Sequence, residues 1–216
     1  MHGIDYGGFA YGLWTIVMFS ILITLFLIFS YVKPKNKFEW RSMGAFIGFI
    51  AALFTEMYGI PLTIYFLTGW LGTKYPVIDP FSHSSGHLVL VFLGLSHSSW
   101  AMAILHIITN AIIFFGFCIV YKGWQKIHAA KSDELVIDGI YKYIRHPQYV
   151  GMWLITVGFL IQWPTLITLI FMWPILMILY HRLSKREEKL LYEKFGKKFE
   201  RYKKKVPAYI PRIVYK

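Results

Sequence analysis

Chemistry-bearing side chains gather in two short stretches of this chain. The first runs from Leu135 to Gly151 and holds Tyr141, Arg145, His146, Pro147, Gln148 and Tyr149. The second holds Arg182, Arg186, Glu187 and Glu188. A carboxylate such as Glu187 can hold an ammonium through a charge-assisted hydrogen bond. Tyr141, His146 or Tyr149 can stack on, or hydrogen-bond to, a base or a ribose. A sulfonium is stabilised by an aromatic face. The pair of stretches therefore suits a cofactor with charged ends and an aromatic base. A plainer reading also stands: Arg145-His146-Pro147 caps a helix and meets headgroups, while Glu187-Glu188 balances a basic tail. Spacing alone does not separate the two.

The elements that must position these residues are membrane helices. Hydrophobic residues make up 56% of the 216 and charged residues only 16%, against about a quarter in soluble domains. The single cysteine, Cys118, excludes a disulfide framework. The net charge of +12 does not point to nucleic acid. The cations lie in short loops and a tail beside apolar spans, where they set orientation and meet anionic lipids. The N-terminus lacks the basic region of a cleavable signal.

No charge occurs from Tyr6 to Val32, and only Glu56 interrupts the run from Ser42 to Thr73, which Gly59 and Pro61 should kink. Residues 86–95 reach about half a spanning length, which predicts a short or re-entrant helix, and Trp100 to Tyr121 is a full span. A polar loop is expected over 122–148. The apolar run 149–180 is broken by Trp163-Pro164 and predicts a helical hairpin with arms of about 23 Å. A tail with thirteen Lys/Arg and four Glu follows, with an amphipathic helix expected over 184–205, weakened at Gly196 and ended by Pro207. The positive-inside rule puts the N-terminus outside and the 33–41 and 122–147 loops and the tail in the cytoplasm. The expected fold is thus an all-α integral membrane protein of about five transmembrane helices. The last two form a hairpin, followed by an amphipathic cytoplasmic C-terminal helix. It is a single membrane domain over 1–216, with helices in 1–121 and a cofactor-binding part in 122–216. The hairpin would return Glu187 to the neighbourhood of His146.

Other polar residues inside the apolar runs need weighing. Glu56 is either a hydrogen-bonded packing residue or a ligand contact, since intramembrane carboxylates are costly. His83 and His87 stand four apart, and His97 and His106 follow. Such residues can hold a metal or haem, but no carboxylate motif accompanies them, so no metal ligand is assigned.

The motif residues also support a resemblance. Leu135-Val136, Gly139, Tyr141, Arg145-His146-Pro147, Tyr149 and Gly151, then Glu187-Glu188, Leu190, Phe195-Gly196, Tyr202 and Pro207, resemble the pattern of the isoprenylcysteine carboxyl methyltransferase family. The likeness covers roughly 125–211. It implies a membrane methyltransferase that uses S-adenosyl-L-methionine, bound from the cytoplasm by Leu135, Val136, Tyr141, His146, Pro147, Gln148, Tyr149 and Glu187, with Asp133, Glu134 and Gln125 carried more loosely. It implies a lipophilic or small-molecule methyl acceptor reached through the lipid bilayer. Where that family has a substrate-contacting arginine four positions before the first Glu, this chain has Leu183, with Arg182 beside it. Arg182 and Glu56 are therefore the substrate-contact candidates, and no catalytic residue is assigned, because orientation carries the reaction. Phospholipid N-methyltransferases and small-thiol S-methyltransferases share the C-terminal pattern, and membrane sterol reductases using a nicotinamide share part of it. A haem- or metal-binding membrane protein is the non-enzymatic alternative.

Overall fold

The computed structural model describes residues 11–34, 37–63, 65–66, 86–95, 98–130, 134–165 and 168–211. All regular structure among them is helical: α1 (Trp14–Leu27), α2 (Lys37–Phe54), α3 (Leu88–Phe92), α4 (Ser99–Ala129), α5 (Pro147–Gln162), α6 (Trp173–Phe195) and α7 (Lys197–Lys205). Single π-helical turns extend α1 over Ile28–Val32 and α2 over Thr55–Gly59, and another precedes α6 at Thr168–Met172. Among the described residues, three stretches are long and apolar enough to cross a membrane: Trp14–Tyr31, Lys37–Gly59 and Ser99–Ala129. Their large exposed residues, Phe19, Phe26, Ile107 and Phe114 among them, are the surface a bilayer would cover.

Several helix bounds differ from the sequence reading. The polar loop expected over 122–148 begins late, because α4 runs on through Lys126 to Ala129. Cations in a last turn are favourable there, since they meet the negative end of the helix dipole. The second run does not kink at Gly59 and Pro61. Its helix ends there, and Ile60 is extended. The tail helix expected over 184–205 is two helices. Residues 184–195 continue α6, and Gly196, at φ +49°, turns the chain into α7. A left-handed φ is open to glycine at little cost. Within residues 86–95 the short helix α3 covers only Leu88–Phe92. The loop at 74–85 lies outside the described residues.

Glycine decides how the motif-bearing helix is seated. Gly116 and Gly123 lie seven apart on α4, and Gly151 and Gly158 seven apart on α5. A Cβ on Gly151 would sit 2.6 Å from the Gly116 carbonyl oxygen, and one on Gly116 2.8 Å from the Gly151 oxygen. A Cβ on Gly158 would come within 2.6 Å of Ile113, and one on Gly123 within 3.3 Å of Pro147. Small residues let membrane helices approach backbone to backbone, where van der Waals packing replaces a missing hydrophobic drive. The two helices are bolted together along this seam, so the N-terminus of α5 has a fixed place beside the end of α4.

The rest of the core is apolar. Phe46, Phe49, Ile50 and Leu53 of α2 pack with Met152 and Ile155 of α5 and with Leu176, Tyr180 and Leu183 of α6. A smaller cluster of Leu135, Phe199, Tyr202 and Val206 pins α7 beneath the segment before α5. Between α1, α2, α4 and α5 remains an apolar cleft of about 340 Å³, lined by Ile28, Ile50, Phe117, Trp124, Met152 and Phe159 among others. Among the described residues, no charged side chain lines it.

Candidate functional site

Helix α5 begins with Pro147 at its first position, which suits a turn whose N–H has no helical partner. The N–H groups just before it also need acceptors. Arg145 N–H donates to the Pro207 carbonyl at 2.9 Å and His146 N–H to the Ala208 carbonyl at 3.0 Å. The segment after α7 is thereby laid across the start of α5.

On α6, Tyr180, Ser184, Glu187, Glu188 and Leu191 recur at helical spacing, so they share one face. That face meets the start of α5. Tyr149 Oη donates to Glu187 at 2.7 Å, across 38 positions of sequence. The His146 ring lies between both carboxylates, with Nδ1 3.5 Å from Glu187 and Nε2 3.3 Å from Glu188. Arg145 grips Glu188 through Nε at 3.0 Å and Nη2 at 2.7 Å. Its Nη1 reaches the Lys203 carbonyl at 3.1 Å and also the Val206 carbonyl. Lys203 completes the set, 2.7 Å from the other Glu188 oxygen.

The two glutamates therefore differ in role. Glu188 is 6% exposed at its side chain and fully engaged, while Glu187 is 21% exposed and meets no Lys or Arg among the described residues. Burial raises the Glu188 pKa, but hydrogen bonds from His146, Lys203 and Arg145 outweigh it and hold the carboxyl well below its usual range. Burial alone would depress the His146 imidazole; hydrogen bonds and charge from Glu187 and Glu188 reverse that and raise it. With carboxylates at both ring nitrogens, His146 is favoured as a cation and is poorly placed to accept a proton.

The remaining predicted residues divide. Tyr141 Oη lies 3.2 Å from the Gly123 carbonyl and 3.1 Å from Gln148 Oε1, which share its one O–H proton, so Tyr141 and Gln148 brace the site against α4. Burial and the charge of Glu187 push the Tyr141 phenol up. Leu135 is buried with α7, Val136 is half-buried and Glu134 exposed. Gln125 and Arg182 are exposed, Leu183 is buried, and Asp133 lies outside the described residues.

Glu56 is not brought to this site. It accepts from Thr63 N at 2.6 Å and from the Thr63 hydroxyl, about 25 Å along α2 from Glu39 at 1.5 Å per residue, and Glu39 pairs with His128 at the site end. His87 and His106 belong to that far end too. His87 Nδ1 lies 2.9 Å from the Gln162 carbonyl, and Gln162 Nε2 2.7 Å from His106 Nδ1. His83 and His97 lie outside the described residues. A basic groove of about 580 Å³ between α6 and α7 has its cations largely committed, Lys203 to Glu188 and Lys204 to Glu200, and reads as a solvated face.

Sequence reasoning missed three aromatic partners and gave a fourth, Tyr202, only as part of the motif. Tyr180 stacks on Tyr149 with ring centroids 5.2 Å apart. Tyr202 Oη donates to the Tyr141 carbonyl at 2.7 Å. Tyr209 lies 5.8 Å from the His146 ring and 4.8 Å from that of Trp153. Trp153 follows Tyr149 by four positions, one turn further along α5. That spacing was the available signal, but it was read only as membrane core.

The site is thus a carboxylate in an aromatic setting at one end of a helical bundle, beside an apolar cleft in the bundle wall. Residues 102–193 match the model of the isoprenylcysteine carboxyl methyltransferase (ICMT) family. Over 95 residues the chain is 36% identical to the protein-S-isoprenylcysteine O-methyltransferase of Schizosaccharomyces pombe (strain 972 / ATCC 24843), a stretch covering 43% of this chain and 40% of that relative. The chain thus matches well under half the length of the relative. The C-terminal part resembles this family, as its motifs imply, and the apolar helices make the chain an integral membrane protein.

Proposed function

We propose that this chain is a membrane methyltransferase that takes S-adenosyl-L-methionine as methyl donor and methylates the carboxylate of an S-isoprenylcysteine-like acceptor. The observation that carries the reading is the meeting of Glu187 with Tyr149 and His146, which closes a bipartite motif into one site. The donor set fits the cofactor. A carboxylate 21% exposed, with no Lys or Arg partner among the described residues, suits an ammonium, and the surrounding rings suit a sulfonium and a purine.

When bound, S-adenosyl-L-methionine supplies an electrophilic methyl group. Glu187 holds the charged end, Tyr149 and His146 fix the Glu187 carboxylate, and Tyr141, Pro147 and Gln148 brace the wall. Leu135, Val136 and Glu134 border it. The acceptor's hydrocarbon chain lies in the cleft, whose lining carries no charge to compete with it. A carboxylate acceptor needs no base, consistent with His146 being engaged at both nitrogens. Orientation and water exclusion supply the catalysis, worth about 7–11 kcal/mol in good geometry.

In this reading α1, α2, α4, α5 and the first half of α6 cross the membrane. The N-terminus is outside, and the site, α7 and the tail are cytoplasmic. The 16 residues of α5 span about 24 Å, which thins the bilayer there. Residues 1–121 supply the cleft and 122–216 the donor site, within one domain.

Calorimetry on detergent-purified protein with S-adenosylhomocysteine, followed by labelled-methyl transfer, tests this. Binding and transfer to an S-isoprenylcysteine are expected. Transfer only to a phospholipid amine or a small thiol would move the acceptor class, and no binding by folded protein would end the methyltransferase reading.

A further inference from the structure

Beyond Val206, which packs with α7, the segment to Pro211 lies outside the apolar core, and Ile210 is 80% exposed. It is nevertheless fixed. Its carbonyls at Val206, Pro207 and Ala208 accept from the Arg145 guanidinium and from the Arg145 and His146 N–H groups. Tyr209 is then placed by two partners on α6, the Ser184 hydroxyl and His181 Nδ1, the latter at 3.4 Å. These contacts stand its ring between His146 and Trp153.

Trp153 contributes a second, independent observation. Its indole Nε1 is buried and has no hydrogen-bond partner among the described residues. An orphaned buried donor is destabilising, and native structures rarely keep one without a reason. Here it belongs to the ring that faces Tyr209, one helical turn from Tyr149.

Resting on the proposed function, we infer that Trp153 and Tyr209 form the wall that binds the nucleoside half of the methyl donor, with the Trp153 N–H donating to it. Glu187 is left to hold the amino-acid half. The two ends of one ligand are then read by separate parts of the chain. The purine and ribose offer flat faces and acceptor atoms that an indole N–H and two rings recognise. The ammonium offers the charge that a carboxylate recognises.

Two probes separate the halves: S-adenosylhomocysteine, which has both, and methylthioadenosine, which lacks the amino acid. Trp153→Phe keeps a ring and deletes the N–H, so both probes should bind roughly tenfold more weakly. Tyr209→Leu should weaken both similarly, with Tyr209→Phe restoring most of the affinity. Glu187→Gln should weaken S-adenosylhomocysteine alone. Melting temperatures report folding, and should Tyr209→Leu not fold, Trp153→Phe decides. Unchanged methylthioadenosine affinity in Trp153→Phe would overturn the assignment, as would a loss confined to S-adenosylhomocysteine. Unchanged protein that binds neither probe would overturn the proposed function itself.

Discussion

Arg145 offers the sharpest test of how the site end is held together. Replacing it with alanine removes two hydrogen bonds to Glu188 and two to the Lys203 and Val206 carbonyls. Both partners are deeply placed, with side-chain exposures of 10% for Arg145 and 6% for Glu188. Breaking a buried ion pair costs about 3–5 kcal/mol, because the surviving charge stays uncompensated. Here Lys203 and His146 still face Glu188, so the lower end, about 3 kcal/mol, is the working value. At about 2–4 °C per kcal/mol for a chain of this size, that becomes a fall of about 6–12 °C in the melting temperature. Arg145→Lys should recover less than half, since an ammonium cannot reproduce the planar fork. The assay is thermal unfolding in detergent, with Glu188→Gln and the double variant closing a cycle. An Arg145→Ala protein melting within a degree or two of the parent would refute the idea that this knot closes the C-terminal part.

Other perturbations bear on separate parts of the structure. His146 has a raised folded pKa, so its charge contributes stability that is complete below its ordinary value of 6.5 and fades as pH rises through the folded value. Glu188 has a lowered one, so its contribution holds above 4.5 and fades as pH falls through the folded value. Melting temperature against pH should be highest between about 4.5 and 6.5, and His146→Asn should abolish the alkaline decline. Gly151→Ala would force a Cβ to 2.6 Å from the Gly116 oxygen. It should destabilise by about 1–3 kcal/mol, seen as a lower melting temperature, while Gly44→Ala, with open space around its Cβ, should not. Thr24→Trp, at a half-buried position in the cleft lining, narrows the cleft, so it should raise the acceptor KM severalfold and leave S-adenosylhomocysteine affinity unchanged by calorimetry.

Much of this architecture was legible from the residues. Long charge-free runs have few physical solutions, so α1, α2 and α4 could be read directly, and Trp163-Pro164 marks the break after α5. Helix ends were read less well. Lys122 to Ala129 are polar enough to pass for loop, but a long helix can leave the membrane and continue in water. The same error merged 184–205 into one helix, because charge pattern reveals where lipid stops and not where a helix stops. At the site, the convergence of His146 and Glu187 followed from the hairpin. The division between Glu187 and Glu188 did not, since adjacent glutamates look alike until Arg145 and Lys203 are seen to take one of them. Tyr209 was invisible because its role comes from backbone hydrogen bonds at Arg145 and His146, which no side-chain pattern encodes.

Those backbone bonds also set an order of events. The N–H groups of Arg145 and His146 find their acceptors about sixty positions later, at Pro207 and Ala208. While a nascent chain is still being threaded into the bilayer, α4 and α5 can already lock along their glycines. The proposed site they help to frame stays unfinished until residues 203–209 leave the ribosome. A membrane-inserted intermediate would hold its helices and still lack the proposed site. Any chain ending just after Lys205 would be arrested at that stage.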